Sequence, residues 1–338
     1  MSRQDDDWTQ YKHEALLDVR LCDLGLHLDD TWTREVADKV CAELRARGLR
    51  FRPHFWFSDE WFSPENIPGV AIPFYLGHPR LMRLERKMML EVEGGTKSEC
   101  AKLMRHEIGH AMQHAYAFHR RRKWQRVFGS ARAPYPDFYR PRPGSRRFVQ
   151  HLDGWYAQSH PVEDFAETFA VWLGSRWRQE YAEWPAMKKL EYVDELMGET
   201  RGTAPRVKSK ARPYALRTLK TTLREHYERR QGHFKRGFSP QYDRDLHRIF
   251  SDDLAHAKNE TAAAFIRRHR RVIRERVARF TGKNHLTLAQ VLRESAGRAK
   301  ELGLRLRASD EETLIDFALM LTAHTVHTLH QGNEWHPM

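Results

Sequence analysis

The chain has 338 residues, 40% of them hydrophobic and 11% aromatic, with ten tryptophans, which are too many core-forming side chains for a disordered protein. Its 58 basic residues outnumber 45 acidic ones, and the net charge of +13 attracts polyanions, acidic proteins or anionic surfaces without choosing among them. Cys22, Cys41 and Cys100 are widely spaced and odd in number, which suggests neither a disulfide framework nor a paired-cysteine metal knuckle and fits a reducing compartment.

In chain order, Leu17, Val19 and Leu21 alternate as in a half-buried strand. Val36, Val40 and Leu44 share one face of a helix opened by Thr33 and closed by Gly48. Two aromatic-rich runs follow, Leu49 to Phe57 and Val70 to Leu76, each holding a proline and each read as an edge strand. Gly94 and Gly95 break the chain before a helical run from about Ser98 to Phe118.

From His119 to Gln150 ten Lys or Arg stand against one acid, Asp137, among Pro134, Pro136, Pro141 and Pro143. This composition gives an extended basic excursion with some helix at its start, either a solvated insertion or a lid over a cleft. A second, buried helix begins near Pro161, a residue suited to a first helical position, and runs through Glu163, Phe165, Phe169 and Trp172. Arg201 to Arg212 turns to Lys, Arg, Pro and small residues, a linker that divides a domain over 1–200 from a helical region over 201–338. In the latter, Phe265, Ile266, Val272, Ile273, Val277 and Phe280 form an apolar stripe opposite Arg267, Arg268, Arg270, Arg271 and Arg274, and further helices cover Leu286 to Leu302 and Glu311 to His330.

The strongest chemical signal is His106-Glu107-Ile108-Gly109-His110. On a helix, residues four apart lie on one face about 6 Å apart along the axis, so both imidazoles reach one ion. The intervening glutamate can then address a metal-bound water instead of the metal. A catalytic zinc takes three protein ligands, so a third must come from elsewhere. The metzincin pattern is excluded, because Gln113 and Tyr116 stand where glycine and histidine are required. His114 continues the face, but it is about 12 Å along the axis from His106, too far for both to bind one ion, and is read as a packed residue or a supporting one. The remaining source is the run His160 to Phe169, where carboxylates at Glu163 and Glu167 recur one turn apart on a helix apolar enough to be buried. A buried carboxylate needs a cation or an arginine partner.

HEIGH followed 53 residues later by EDFAETF resembles the gluzincin pattern. More closely, the stretch from about Phe51 to Leu173, with SDEWFSPENIPGVAIPFYLGHPRLMRLERKMMLEVEGG and HPVEDFAETFAVWL, resembles the putative zinc-binding metallopeptidase family. The resemblance implies a zincin-like α+β domain, with a small mixed sheet and an active-site helix, ahead of a mainly helical C-terminal region. It implies zinc held by His106, His110 and Glu163, with Glu107 as general base and Glu167 orienting a zinc histidine. A more distant likeness to the catalytic domain of anthrax lethal factor matches Tyr156, seven residues before Glu163, to a tyrosine near the metal that stabilises the oxyanion. His160 is the rival donor.

The expected function is hydrolysis of a peptide or protein substrate. The alternatives are a basic nucleic-acid-binding protein, drawing on Arg120 to Trp124 and the arginine-rich helix near Arg270, and an interaction protein with non-catalytic zinc. Weak polyanion binding is an expected accessory property of the basic surface. The N-terminus, Met1 to Trp8, lacks the apolar core of a signal peptide and no stretch is apolar enough to span a membrane, so the expected location is cytoplasmic. His324, His327 and His330 are read as one helix face and not as a second metal site.

Overall fold

The computed structural model describes residues 7–136, 138–139, 142, 144–232, 242–331 and 336–337, the side chains of 138, 242, 326–331 and 336–337 excepted. The described residues are mostly helical, with a small sheet, an architecture compatible with an α+β fold. The chain divides into two compact units, Met1–Tyr227 and Glu228–His336.

In the first unit, the expected strand at Leu17 to Leu21 is instead helix α1, His13–Leu17, followed by a short turn over Leu21–Asp23. Leu16, Leu17 and Leu21 are buried and Val19 is not, so a helical turn collects the apolar residues that the alternation reading would have placed on one strand face. Helix α2, Trp32–Ala46, buries Val36, Val40 and Leu44 as expected, but Thr31 is its N-cap residue and Thr33 is buried within it. Strands β1, His54–Ser58, and β2, Gly69–Pro73, pair in parallel, His54 opposite Gly69 through Ser58 opposite Pro73. A lone antiparallel bridge joins Phe62 to Ala71. Among the described residues of the first half of the unit, this pair and bridge stand for the expected mixed sheet, beside a lone antiparallel bridge from Arg20 to Thr222. Because β2 has β1 on one side, Phe62 on the other, and five buried residues, it offers no edge to an added peptide strand.

Helix α3, Pro79–Met89, leads to α4, Lys97–Tyr116, the longest helix of this unit. Thr96 and Glu99 start α4 with a reciprocal capping box, each side chain accepting the other's backbone N–H at 3.2 Å. Helix α4 packs against β2, α2 and α6 (Pro161–Leu173) and is buried around much of its circumference, as a helix at the centre of a core must be. Between them lies the basic excursion. Its start is helical, α5 covering Arg122–Phe128, and Trp124 and Phe128 pack on Phe165 of α6, so this part is anchored in the core. Short α7, Trp177–Glu180, and α8, Met187–Thr200, follow, and α9, Leu223–Gly232, starts in this unit. The stretch read as a linker is bonded to this unit. Arg206 and Val207 donate to the Ala115 carbonyl, and His54, Trp56 and Ser58 hold the carbonyls of Ala211, Pro213 and Tyr214.

The second unit contains α10, Tyr242–Ile249, α11, Ala262–Thr281, α12, His285–Glu301, and α13, Asp310–Gln331, packed around Phe250, Phe265, Ile273, Leu292 and Phe317. The stripe on α11 is narrower than its sequence suggests. Phe265, Ile266, Ile273 and Val277 are buried, but Val272 falls at the rim and Phe280 lies in the last turn, both exposed. His324 bonds Asp245 at 2.7 Å, while the side chains of His327 and His330 lie outside the described residues. No described helix is long and apolar enough to cross a membrane.

Candidate metal centre

The centre is built where α4 crosses α6. Gly109, inside the HEIGH motif, sets the distance between them. A Cβ added there would lie 2.9 Å from the Ala166 Cα and 3.1 Å from its carbonyl oxygen, so no larger residue fits without separating the helices. That close approach puts the first turn of α6 against the middle of α4. Pro161 occupies the first helical position of α6, and His160 caps it by accepting the Val162 N–H on Nδ1 at 3.3 Å.

Three ligand-type atoms converge. His106 Nε2 and His110 Nε2 each lie 3.0 Å from Glu163 Oε2 and 3.1 Å from one another, and all three residues are nearly inaccessible. On its other ring nitrogen, Nδ1, His106 meets Glu167 Oε1 at 2.8 Å, and the second Glu167 oxygen accepts the Leu152 backbone N–H at 2.8 Å. A proton on Nδ1 toward Glu167 leaves the Nε2 lone pair of a neutral His106 pointing at the second imidazole and the Glu163 carboxylate. Electron-rich atoms brought this close repel one another unless a proton or a metal cation sits among them, and two imidazoles with one carboxylate are the donor set of a catalytic zinc. The residues therefore fit a divalent metal, and among the described residues this is the group of His, Cys, Asp and Glu that could hold one.

Without a metal, protons hold the cluster together. Burial disfavours the charge on Glu163, but His110 and His106 outweigh it and hold the carboxyl well below the usual range. Burial likewise opposes a charged His106, yet hydrogen bonds to Glu163 and Glu167 hold its imidazolium well above the ordinary value. Both carboxylates are thus matched to histidines and not to arginines. The neighbouring Asp164 turns instead to Lys189 at 2.6 Å, and burial still pushes its carboxyl up to about 7.

Glu107 is buried beside the cluster, outside the three converging atoms, and makes no hydrogen bond or ion pair among the described residues. Burial raises its carboxyl, opposed by the nearby His106 and His110. Tyr156 lies in a turn that needs left-handed backbone at Gly154 (φ 72°) and Trp155 (φ 56°). Its ring centroid sits 5.5 Å from that of His106, and its hydroxyl has no hydrogen-bond partner among the described residues. Burial, with Glu163 and Glu107 nearby, pushes that phenol up. His160 is occupied otherwise. With Nδ1 accepting from Val162, its Nε2–H donates to the Ala133 carbonyl at 3.0 Å, which leaves no donor for a substrate.

The sequence reading missed Tyr135. It lies in the basic excursion, half-exposed as a residue, yet its hydroxyl turns inward and donates to Glu163 Oε1, and its ring stacks on His160 at 4.0 Å. The sole local signal is the Pro134-Tyr135-Pro136 run, which fixes the backbone as extended but says nothing of where it docks. His114 lies apart from the centre, its ring 6.0 Å from that of His119.

Where the two helices cross, the His-His-carboxylate cluster forms a group that could hold a metal ion. Residues 102–195, from within α4 to within α8, match the family described as "putative zinc-binding metallo-peptidase", in agreement with the resemblance read from the sequence. The matched stretch contains His106, Glu107, His110, Tyr156, Glu163 and Glu167 and does not extend over 51–101. No curated protein and no solved structure matches the chain.

Proposed function

We propose that the protein is a zinc-dependent peptidase of the gluzincin type, in which His106, His110 and Glu163 hold the metal and Glu107 is the general base. The observation that carries this reading is the single point on which His106 Nε2, His110 Nε2 and Glu163 Oε2 converge, each within 3.1 Å of the others, with a buried carboxylate beside them that joins no partner among the described residues. Zinc at such a site polarises a substrate carbonyl and brings the pKa of water toward about 7.

The side chains do the rest. Glu107 takes the proton of the attacking water on its carboxylate and passes it to the leaving amine. The free hydroxyl of Tyr156 donates to the developing oxyanion, and Glu167 fixes the Nδ1–H tautomer of His106. A structural zinc would have no use for the unpartnered Glu107, which is why the catalytic reading is preferred to a non-catalytic one.

Metal analysis of the purified chain, followed by digestion of a peptide library with and without chelator, tests the proposal. One equivalent of zinc and chelator-sensitive cleavage restored by added zinc are expected. Absence of both metal and cleavage after zinc addition overturns it.

A further inference from the structure

A second feature of the first unit shares no residue with the metal centre. A cleft of about 720 Å³ opens beside β1 and is lined by Leu26 to Asp29, by Arg212 and Ala215 to Arg217, and by one stripe of α2. That size lies in the range that holds discrete ligands. Arg34, Asp38, Cys41 and Arg45 recur along α2 at helical spacing, so one helix face presents them together. Arg34 is matched internally, by Asp38 at 2.9 Å and Asp29 at 3.3 Å. Arg45, Arg52, Arg212 and Arg217 line the same cleft, are exposed, and form no ion pair among the described residues. The cations converge: burial raises the Cys41 thiol, helped by Asp38, while Arg45, Arg34 and Arg52 pull it down from close by.

The cleft follows a strand edge. Residues from both faces of β1 line it, His54 and Trp56 as well as Phe55 and Phe57, and this happens only where the cleft runs along the rim of the strand. Strand β2 occupies one side of β1, and the backbone of β1 makes no hydrogen bond to any other described segment. In a parallel pair, alternate residues point their N–H and C=O groups away from the partner, so β1 keeps unused main-chain donors and acceptors on this side.

We infer that the cleft docks an extended acidic peptide, which adds along the free edge of β1 and sets its carboxylates on Arg45, Arg52, Arg212 and Arg217. Guanidinium groups suit carboxylates, and strand addition supplies register and affinity through the backbone. Nucleic acid fits less well. Trp56, Phe55 and Phe57 are each under 9% exposed, and His54 is already stacked on Trp56 at 5.3 Å, so no free ring remains for a base.

The test uses the full-length chain carrying Glu107→Gln, so that a bound peptide is not consumed and the outcome does not depend on the peptidase reading. A fluorescent peptide of alternating glutamate and valine should bind with salt-sensitive affinity. Replacing Arg52 and Arg217 together by Gln should weaken it by about tenfold, as should replacing Arg45 and Arg212, a second pair that guards against a folding defect in the first. Peptide should slow alkylation of Cys41 and leave Cys22 unaffected, and an N-methylated version should bind far more weakly. Undiminished affinity in both arginine pairs, no protection of Cys41, or equal binding of the N-methylated peptide overturns the inference. An oligonucleotide of equal charge that binds as tightly and protects Cys41 equally overturns it in favour of a general polyanion site.

Discussion

Helix α4 carries two overlapping histidine pairs of identical spacing, His106 with His110 and His110 with His114, and only the first forms a ligand cluster. Both pairs satisfy the geometric rule that residues four apart share a helix face. They differ in what crosses them. Glu163 and Glu167 of α6 meet the first pair, one on each ring nitrogen of His106. Among the described residues His114 meets no acid: its Nδ1 is buried without a partner there, its ring faces His119, and burial pushes its pKa down to about 3. Spacing on one helix thus nominates candidates, and the carboxylates of the second helix select among them.

Removing the selecting carboxylate breaks the comparison most severely. Glu163→Ala should lose zinc altogether, since it removes one of the three converging ligand atoms and leaves only Glu167, which faces the far ring nitrogen of His106. Glu107→Gln should keep zinc while turnover falls by about 10²–10⁴-fold, the range for loss of a positioned general base. Metal content and initial rates on one peptide read both. Stoichiometric zinc in Glu163→Ala would sink the ligand assignment, and undiminished turnover in Glu107→Gln the base.

The two tyrosines give the next effect. Among the described residues the Tyr156 hydroxyl has no partner, whereas that of Tyr135 is spent on Glu163, so Tyr156→Phe should lower kcat by roughly 10²-fold, with metal content intact. Tyr135→Phe should act through the carboxylate it touches, changing zinc affinity more than kcat. The reverse pattern would assign the oxyanion to Tyr135. Glu167→Gln follows, with an expected loss of about 10–100-fold in zinc affinity or activity, because the His106 ring loses the charged partner that orients it.

The sequence made the helices of the centre legible because local rules govern them. The break at Gly94 and Gly95, Pro161 at the start of α6 and the HEIGH spacing all act within a few residues, as does the Thr96 capping box, which went unread. Glu163 and Glu167 were legible as buried acids in need of a partner. What brings them within 3.0 Å of the histidines is Gly109, a position the motif leaves unspecified and whose role exists only once Ala166 lies against it. Tyr135 was illegible for the same reason, since its contact with Glu163 spans 28 residues of chain with no periodicity to follow. At the N-terminus the alternation of Leu17, Val19 and Leu21 pointed to a strand, but three residues are too few to tell a period of two from a helical turn.

The smallest effect separates the histidines by the sign of their proton linkage. In the metal-free protein His106 is held above the ordinary imidazole value, so its contribution to stability is present at low pH and is lost as pH rises through the raised pKa. His114 is the opposite case. Its folded pKa of about 3 lies below that of the unfolded chain, about 6.5, so as pH falls through 6.5 the unfolded state takes up a proton that the folded state refuses. Stability is therefore lost between roughly pH 6.5 and 3, with a slope of at most about 1.4 kcal/mol per pH unit. His114→Phe, which also removes the unpartnered buried nitrogen, should flatten that acid limb in urea titrations of the metal-free chain. An unchanged slope would mean that His114 titrates normally, and that the absence of acid beside it does not distinguish it from His106.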